Sequence, residues 1–206
     1  FDYQEAGNGP YSHYIDNTHI NATDTENPYG TVSKPRATIP FFVDAGSVVE
    51  IHGGPYTHKR GSAMRLDGVG TAEAPIFYRG TDNNALVRIG VRAQSGYRNS
   101  AQFIIIENLS LFSYSINPSV ATTVSHIALR HSEATGDTLS GGVSVSSWVV
   151  DNWISHILLY NLNIHDNGPW DTTEGDPDVH GIGIGAYVQH MWVLDSKLYH
   201  NAGNGI

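Results

Sequence analysis

Cysteine is absent from the 206-residue chain, which excludes a disulfide scaffold, a thiolate zinc site and a cysteine nucleophile while leaving the compartment open. Positive charge is scarce: 11 Lys+Arg stand against 20 Asp+Glu, a formal charge of −9. A nucleic-acid binder needs a basic surface to displace phosphate counterions, so no nucleic-acid partner is expected. The same deficit opposes direct binding of a polyanionic sugar unless a metal ion bridges the two negative partners. Long apolar runs are missing too. The longest, 103–106 and 157–160, are strand-sized, so no membrane partner is expected. No 11–18-residue window carries a 3.6-residue apolar period. The zinc-protease motif His-Glu-x-x-His, a phosphate loop and a Gly-x-Ser-x-Gly elbow are all absent. Gly181, Gly183 and Gly185 alternate without the turn-then-helix setting of a dinucleotide fingerprint. The chain opens on Phe1 instead of Met, and the expectation is a processed, secreted or extracytoplasmic protein.

What is present is glycine, 22 residues of it, with 40% apolar and 15% charged residues: the composition of a folded chain of strands and turns. Residues 1–40 read as a polar leader rich in turn-formers, such as Asn8-Gly9-Pro10 and Asn27-Pro28-Tyr29-Gly30. Beyond it, short β-rich runs are predicted at 47–52, 63–66, 75–78, 85–91, 102–107, 126–129, 148–150, 154–160, 181–186 and 190–194. The gaps leave little room for crossover helices, which disfavours a doubly wound α/β fold.

Four segments repeat. Those opening at Gln102, His126, His156 and His190 each carry apolar residues one and three places later, then a polar break and a second strand. The openings lie 24, 30 and 34 residues apart. A variable period of that size marks a solenoid, in which no unit buries its apolar face alone and stacking supplies the core. Asn167-Gly168 and the run 201–205 fall at equivalent sharp turns, where Asn tolerates left-handed backbone and Gly has no Cβ to clash. The predicted class is all-β, a parallel β-helix. About six coils at a spacing of roughly 4.8 Å would give a rod on the order of 30 Å long.

The segments Ile15-Asp16-Asn17, Tyr29-Gly30-Thr31 and Lys34-Pro35-Arg36-Ala37-Thr38-Ile39, followed by 45–56, resemble the amino-terminal cap and first coil of the pectate-lyase-like right-handed parallel β-helix proteins. The resemblance implies one domain over 1–206, with 1–46 as N-terminal cap segment and lead and 47–206 as stacked coils. It implies a polysaccharide as substrate or ligand, with lyase or glycoside hydrolase chemistry, or a non-catalytic binding or adhesion module. It is specific for architecture and poor for activity, because one fold hosts many reactions. The chain stops at Asn204-Gly205-Ile206, within what reads as the opening of another strand. A C-terminally truncated fragment is expected, or self-association through the uncapped coil.

The densest chemistry lies in 165–180, where five carboxylates and two histidines have no Lys or Arg among them. Bunched carboxylates repel unless one holds a proton or a cation sits between them. Ca²⁺ on Asp171, Glu174, Asp176 and Asp178 is one answer; a solvated acidic loop is the plain alternative. Asp176, Asp178 and His180 are the candidate acid/base groups. The Gly-rich run from His180 resembles one strand of the polygalacturonase-like hydrolases, although that family's adjacent Asp pair is absent. A lyase would need a group to neutralise the sugar carboxylate and a base. The basic residues Lys59, Arg60, Arg79, Arg88, Arg92 and Arg98 form no diagnostic motif. Trp170 and Trp192 are candidate sugar platforms, with Lys197 and His200 as further substrate-binding candidates. His126, His156 and His190, with His52, read as structural residues at coil corners, the first three as a stacked ladder.

Overall fold

The computed structural model describes residues 3–57, 63–81, 85–139, 141–169 and 179–206. Among them the chain is all-β, with strands stacked in parallel sheets. A long sheet runs in the order Val188–Leu194, Ile154–Tyr160, Val124–Arg130, Ala101–Glu107, Ile76–Gly80, Val48–His52 and His13–Asp16. A second sheet holds Ile182–Ile184, Val143–Val145, Tyr114–Ile116, Ala93–Ser95 and Met64–Arg65. A third holds Lys197–Tyr199, Asn163–His165, Glu133–Thr135, Leu109–Leu111 and Val87–Ile89. From Ala101 onward each pass of the chain lays a strand in the long sheet, then the third, then the second.

Apolar residues facing inward stack in register from pass to pass. Ile104, Ile127, Ile157 and Met191 form one such file, and Leu111, Ala134, Ile164 and Leu198 another. Apolar residues on adjacent passes fill one buried core, and this repetition lets strands of only three residues persist. Some polar groups inside bond to one another: the Tyr114 hydroxyl donates to Ser95 Oγ at 2.8 Å, which donates to the Leu66 carbonyl at 2.6 Å.

At the amino-terminal end the segment expected as a polar leader contributes structure. His13–Asp16 pairs in parallel with Val48–His52, and Gln4–Glu5 pairs antiparallel with Pro10–Tyr11. Arg79 ties the two regions, donating to the Gly9 and Pro10 carbonyls at 3.0 Å each and to the fully buried Glu50 at 2.7 Å.

Three sequence expectations are corrected. Ile104 pairs with Ile127, so Phe103, not Gln102, is the counterpart of His126, and the first interval is 23 residues. The histidine column sits inside the long strands, not before them or at corners. Phe103, His126, His156 and His190 all have φ between 50° and 58° and form stacked bulges: one extra outward residue per strand, which left-handed backbone accommodates. The first three rings pile face to face, 4.3 Å for Phe103 on His126 and 4.4 Å for His126 on His156, and His190 meets His156 edge-on at 4.9 Å. Finally, 148–150 is a bend and turn, and the strand of that pass is Val143–Val145.

Candidate functional site

The second sheet presents an outward column of polar side chains, Arg65, Gln94 and Ser115, in adjacent strands. Connections on both sides rise above it. Those leading to the long sheet bring Tyr97, Asn117 and Trp148. Those arriving from the third sheet bring Gly90 to Arg92, Phe112, and Gly136 to Leu139. Between them lies a groove of about 660 Å³.

Planar groups line it. The Arg65 guanidinium lies over the Tyr97 ring at 5.2 Å, and Arg98 lies over the same ring at 5.6 Å. Tyr97 meets Trp148 edge to face at 6.2 Å, and Trp148 is 65% exposed. On the other wall Arg88 caps Phe112 at 5.4 Å. Such cation–π contacts hold the Tyr97 and Phe112 rings in place, and Trp148 is the exposed ring beside them. On the floor the Gln94 amide donates to Asn117 Oδ1.

Asp137 is the one carboxylate among the described groove-lining residues. It receives Arg92 in a bidentate pair, Nε at 2.6 Å and Nη2 at 3.0 Å, along with the Ser113 hydroxyl at 2.7 Å and the Leu139 amide at 2.7 Å. Burial by itself would lift its pKa; Arg92, Ser113 and the Leu139 N–H outweigh that and hold it below the ordinary carboxylate range. Asp137 therefore stays ionised and fully engaged, which suits it to holding Arg92 and unfits it as a general acid.

The residues singled out in the sequence fall in different places. Trp170, Asp171, Glu174, Asp176 and Asp178 lie outside the described residues, as do Lys59 and Arg60. The segment bearing the five joins Asn163–His165 to Ile182–Ile184, the same third-to-second-sheet link that supplies Phe112 and Asp137 in earlier passes. That link contains two residues between Leu111 and Tyr114, seven between Thr135 and Val143, and sixteen between His165 and Ile182. His180 is its last residue but one, half-buried, its Nδ1 accepting from the Asn204 amide at 3.2 Å. Trp192 projects from the outer face of the long sheet, 6.3 Å from the His156 ring, not from the second-sheet groove. Lys197 is exposed on the third sheet opposite Asn163. His200 follows that strand, 3.6 Å from Asp166. His52 closes a strand, bonded to Glu50 and Thr81 at 2.8 Å each. Among the described residues no group of three or more His, Asp or Glu is placed to hold a metal ion.

Arg65, Tyr97 and Asp137 are missed by sequence reading. Arg65 and Gln94 are 29 residues apart and become neighbours only once the register is known. The usable signal is the pairing of Tyr97-Arg98 with the aromatic residue Trp148, two passes away from each other on the same kind of connection.

Compared with known proteins, the chain matches no family model, no curated protein and no solved structure.

Proposed function

We propose that the chain is a right-handed parallel β-helix of secreted, carbohydrate-active type, whose second-sheet groove holds a segment of polysaccharide. The observation that carries this is the lining itself. The exposed Trp148 ring, met by the half-buried Tyr97, stands beside fixed planar donors on Arg65 and Arg92 and amides on Gln94 and Asn117. Sugar rings offer an apolar face for stacking and a rim of hydroxyls for donors and acceptors, and this lining offers both complements.

Two readings of the chemistry follow. In the first, the acidic link acts as the reactive part: Asp176, Asp178 and His180 as acid and base, Trp170 as a platform, and Asp171, Glu174, Asp176 and Asp178 as ligands of a Ca²⁺ ion. Support comes from the link's place in the chain, since earlier versions of it wall the groove. In the second, the protein binds without turnover. The engaged, ionised state of Asp137 favours that reading, because the described lining then contains no spare acid.

Incubation with a panel of neutral and uronate glycans separates them. New ultraviolet absorbance from an unsaturated product signals elimination, new reducing ends without it signal hydrolysis, and retention without products signals binding alone. In each case Trp148→Ala is expected to weaken binding about tenfold, the loss of one stacking face at ~1.4 kcal/mol. Unchanged affinity would remove the groove from consideration.

A further inference from the structure

A file of hydrogen-bonding side chains crosses the outer face of the third sheet, away from the groove. The Ser110 hydroxyl donates to Glu133 Oε2 at 3.0 Å. Glu133 Oε1 meets His165 Nε2 at 2.9 Å, and His165 Nδ1 meets Asp166 Oδ2 at 2.7 Å. The imidazole lies flat against Tyr199 at 4.8 Å and 4°. Thr135 Oγ1 stands 3.5 Å from Nδ1, and His200 approaches the far oxygen of Asp166 at 3.6 Å. Among the described residues, the titratable and charged groups facing His165 are therefore Glu133 from the preceding pass, Asp166 from its own, and Tyr199 and His200 from the next; Lys197 flanks them across Asn163.

Asp166 is the first residue of the long link, and the residues after it reach the groove wall. Asn167 is fully buried; its Oδ1 accepts from the Asp137 amide at 3.2 Å, and the Gly168 amide donates to the Asp137 carbonyl at 2.7 Å. Asp137 is the residue whose carboxylate grips Arg92 in the groove. A continuous chain of contacts thus runs from His165 through Asp166, Asn167 and Gly168 to Asp137 and Arg92.

We propose that His165 is a positioning residue for the groove, a proton-dependent clamp that holds the start of the long link and, through Asp137, sets the placement of Arg92. The chemistry is discrete. An imidazolium donates from both nitrogens and satisfies both carboxylates; a neutral imidazole has one N–H and must release one of them. Asp166 is the more exposed partner and the one set free. Burial pulls the pKa of His165 down, but hydrogen bonds to Glu133 and Asp166 and their charges outweigh it and hold the group above the ordinary histidine value. The clamp is accordingly closed in mildly acidic solution and opens as pH rises. Any effect on a bound glycan rests on the groove reading given above; the mechanical link does not.

The test is a pH titration of the full chain by nitrogen-15 and imidazole NMR without ligand. The Arg92 Nε–H and Asp137 amide resonances are expected to move with the same midpoint as the His165 ring. His165→Gln should abolish that movement, Glu133→Gln should lower the midpoint for all three reporters together, and His200→Asn should leave the coupling in place. A His165 ring that titrates while Arg92 and Asp137 stay flat overturns the proposal, and so does movement that survives in His165→Gln. A chain that binds no glycan yet shows coupled titration overturns the groove reading and leaves the clamp standing.

Discussion

Strands Ile154–Tyr160 and Val188–Leu194 are neighbours in the long sheet with the same length and bulge, paired residue for residue: Ile157 with Met191 and Leu159 with Val193. Their environments differ. Ile154, Ile157 and Leu159 are fully buried, whereas Val188, Met191 and Val193 are only partly covered. The earlier strand has a described neighbour on each side and the later one on a single side. Similar local sequence thus yields unequal stabilisation, because burial in this stack belongs to the neighbours as much as to the residue.

The largest expected effect tests that contrast directly. Ile157→Ala should cost about 2–5 kcal/mol by denaturant unfolding, the range for a buried aliphatic truncated in a packed core, and Met191→Ala about half of that or less. Equal losses would mean that Met191 is covered in solution. A smaller effect reports how dry the covered region is. Asp67 is buried with Oδ1 accepting from the Gly96 amide at 2.7 Å and Oδ2 without a hydrogen-bond partner. Burial raises its pKa to about 6, against the pull of the Gly96 amide, Arg65 and Asn99. Because the folded value lies above the unfolded one, Asp67 binds its proton more tightly in the native state, and stability falls as pH rises from about 4 through about 6. The wild type should lose about 1–3 kcal/mol over that window relative to Asp67→Asn; parallel stability curves would show that the interior is wetter than its burial indicates. The smallest effect lies at the outer face. His165 has a raised folded pKa, so its stabilisation is fully present below the unfolded histidine value and lost as pH rises through the folded one. The Tm gap between wild type and His165→Gln should be positive in mildly acidic buffer and close at alkaline pH, modestly, since the cluster is partly solvated. A gap that widens with pH would reverse the assignment.

The long strands were legible in the sequence because seven residues rich in apolar and β-branched side chains carry their own signal, as at 154–160. Strands of three residues were legible only in part: the runs 85–91 and 181–186 contain Val87–Ile89 and Ile182–Ile184, whereas Val143–Val145 and Tyr114–Ile116 were missed and owe their conformation to the strands above and below. The bulge explains the misplaced first repeat. An extra outward residue breaks the alternation, and Phe103 lacks the histidine that marks the position in later passes. His126, His156 and His190 were read correctly as one column and incorrectly as corners. Of the site, the acidic link was visible as composition, whereas the groove was not, since Arg65, Gln94 and Ser115 converge only through a register that no local window contains.

From Leu111 onward the link between the third and second sheets grows from two to seven to sixteen residues in successive passes while the strands it joins keep their register. Length there is decoupled from the architecture that carries it. The wall above the second sheet can therefore be reshaped by insertion at a single kind of junction, one pass at a time, with the strands left in register.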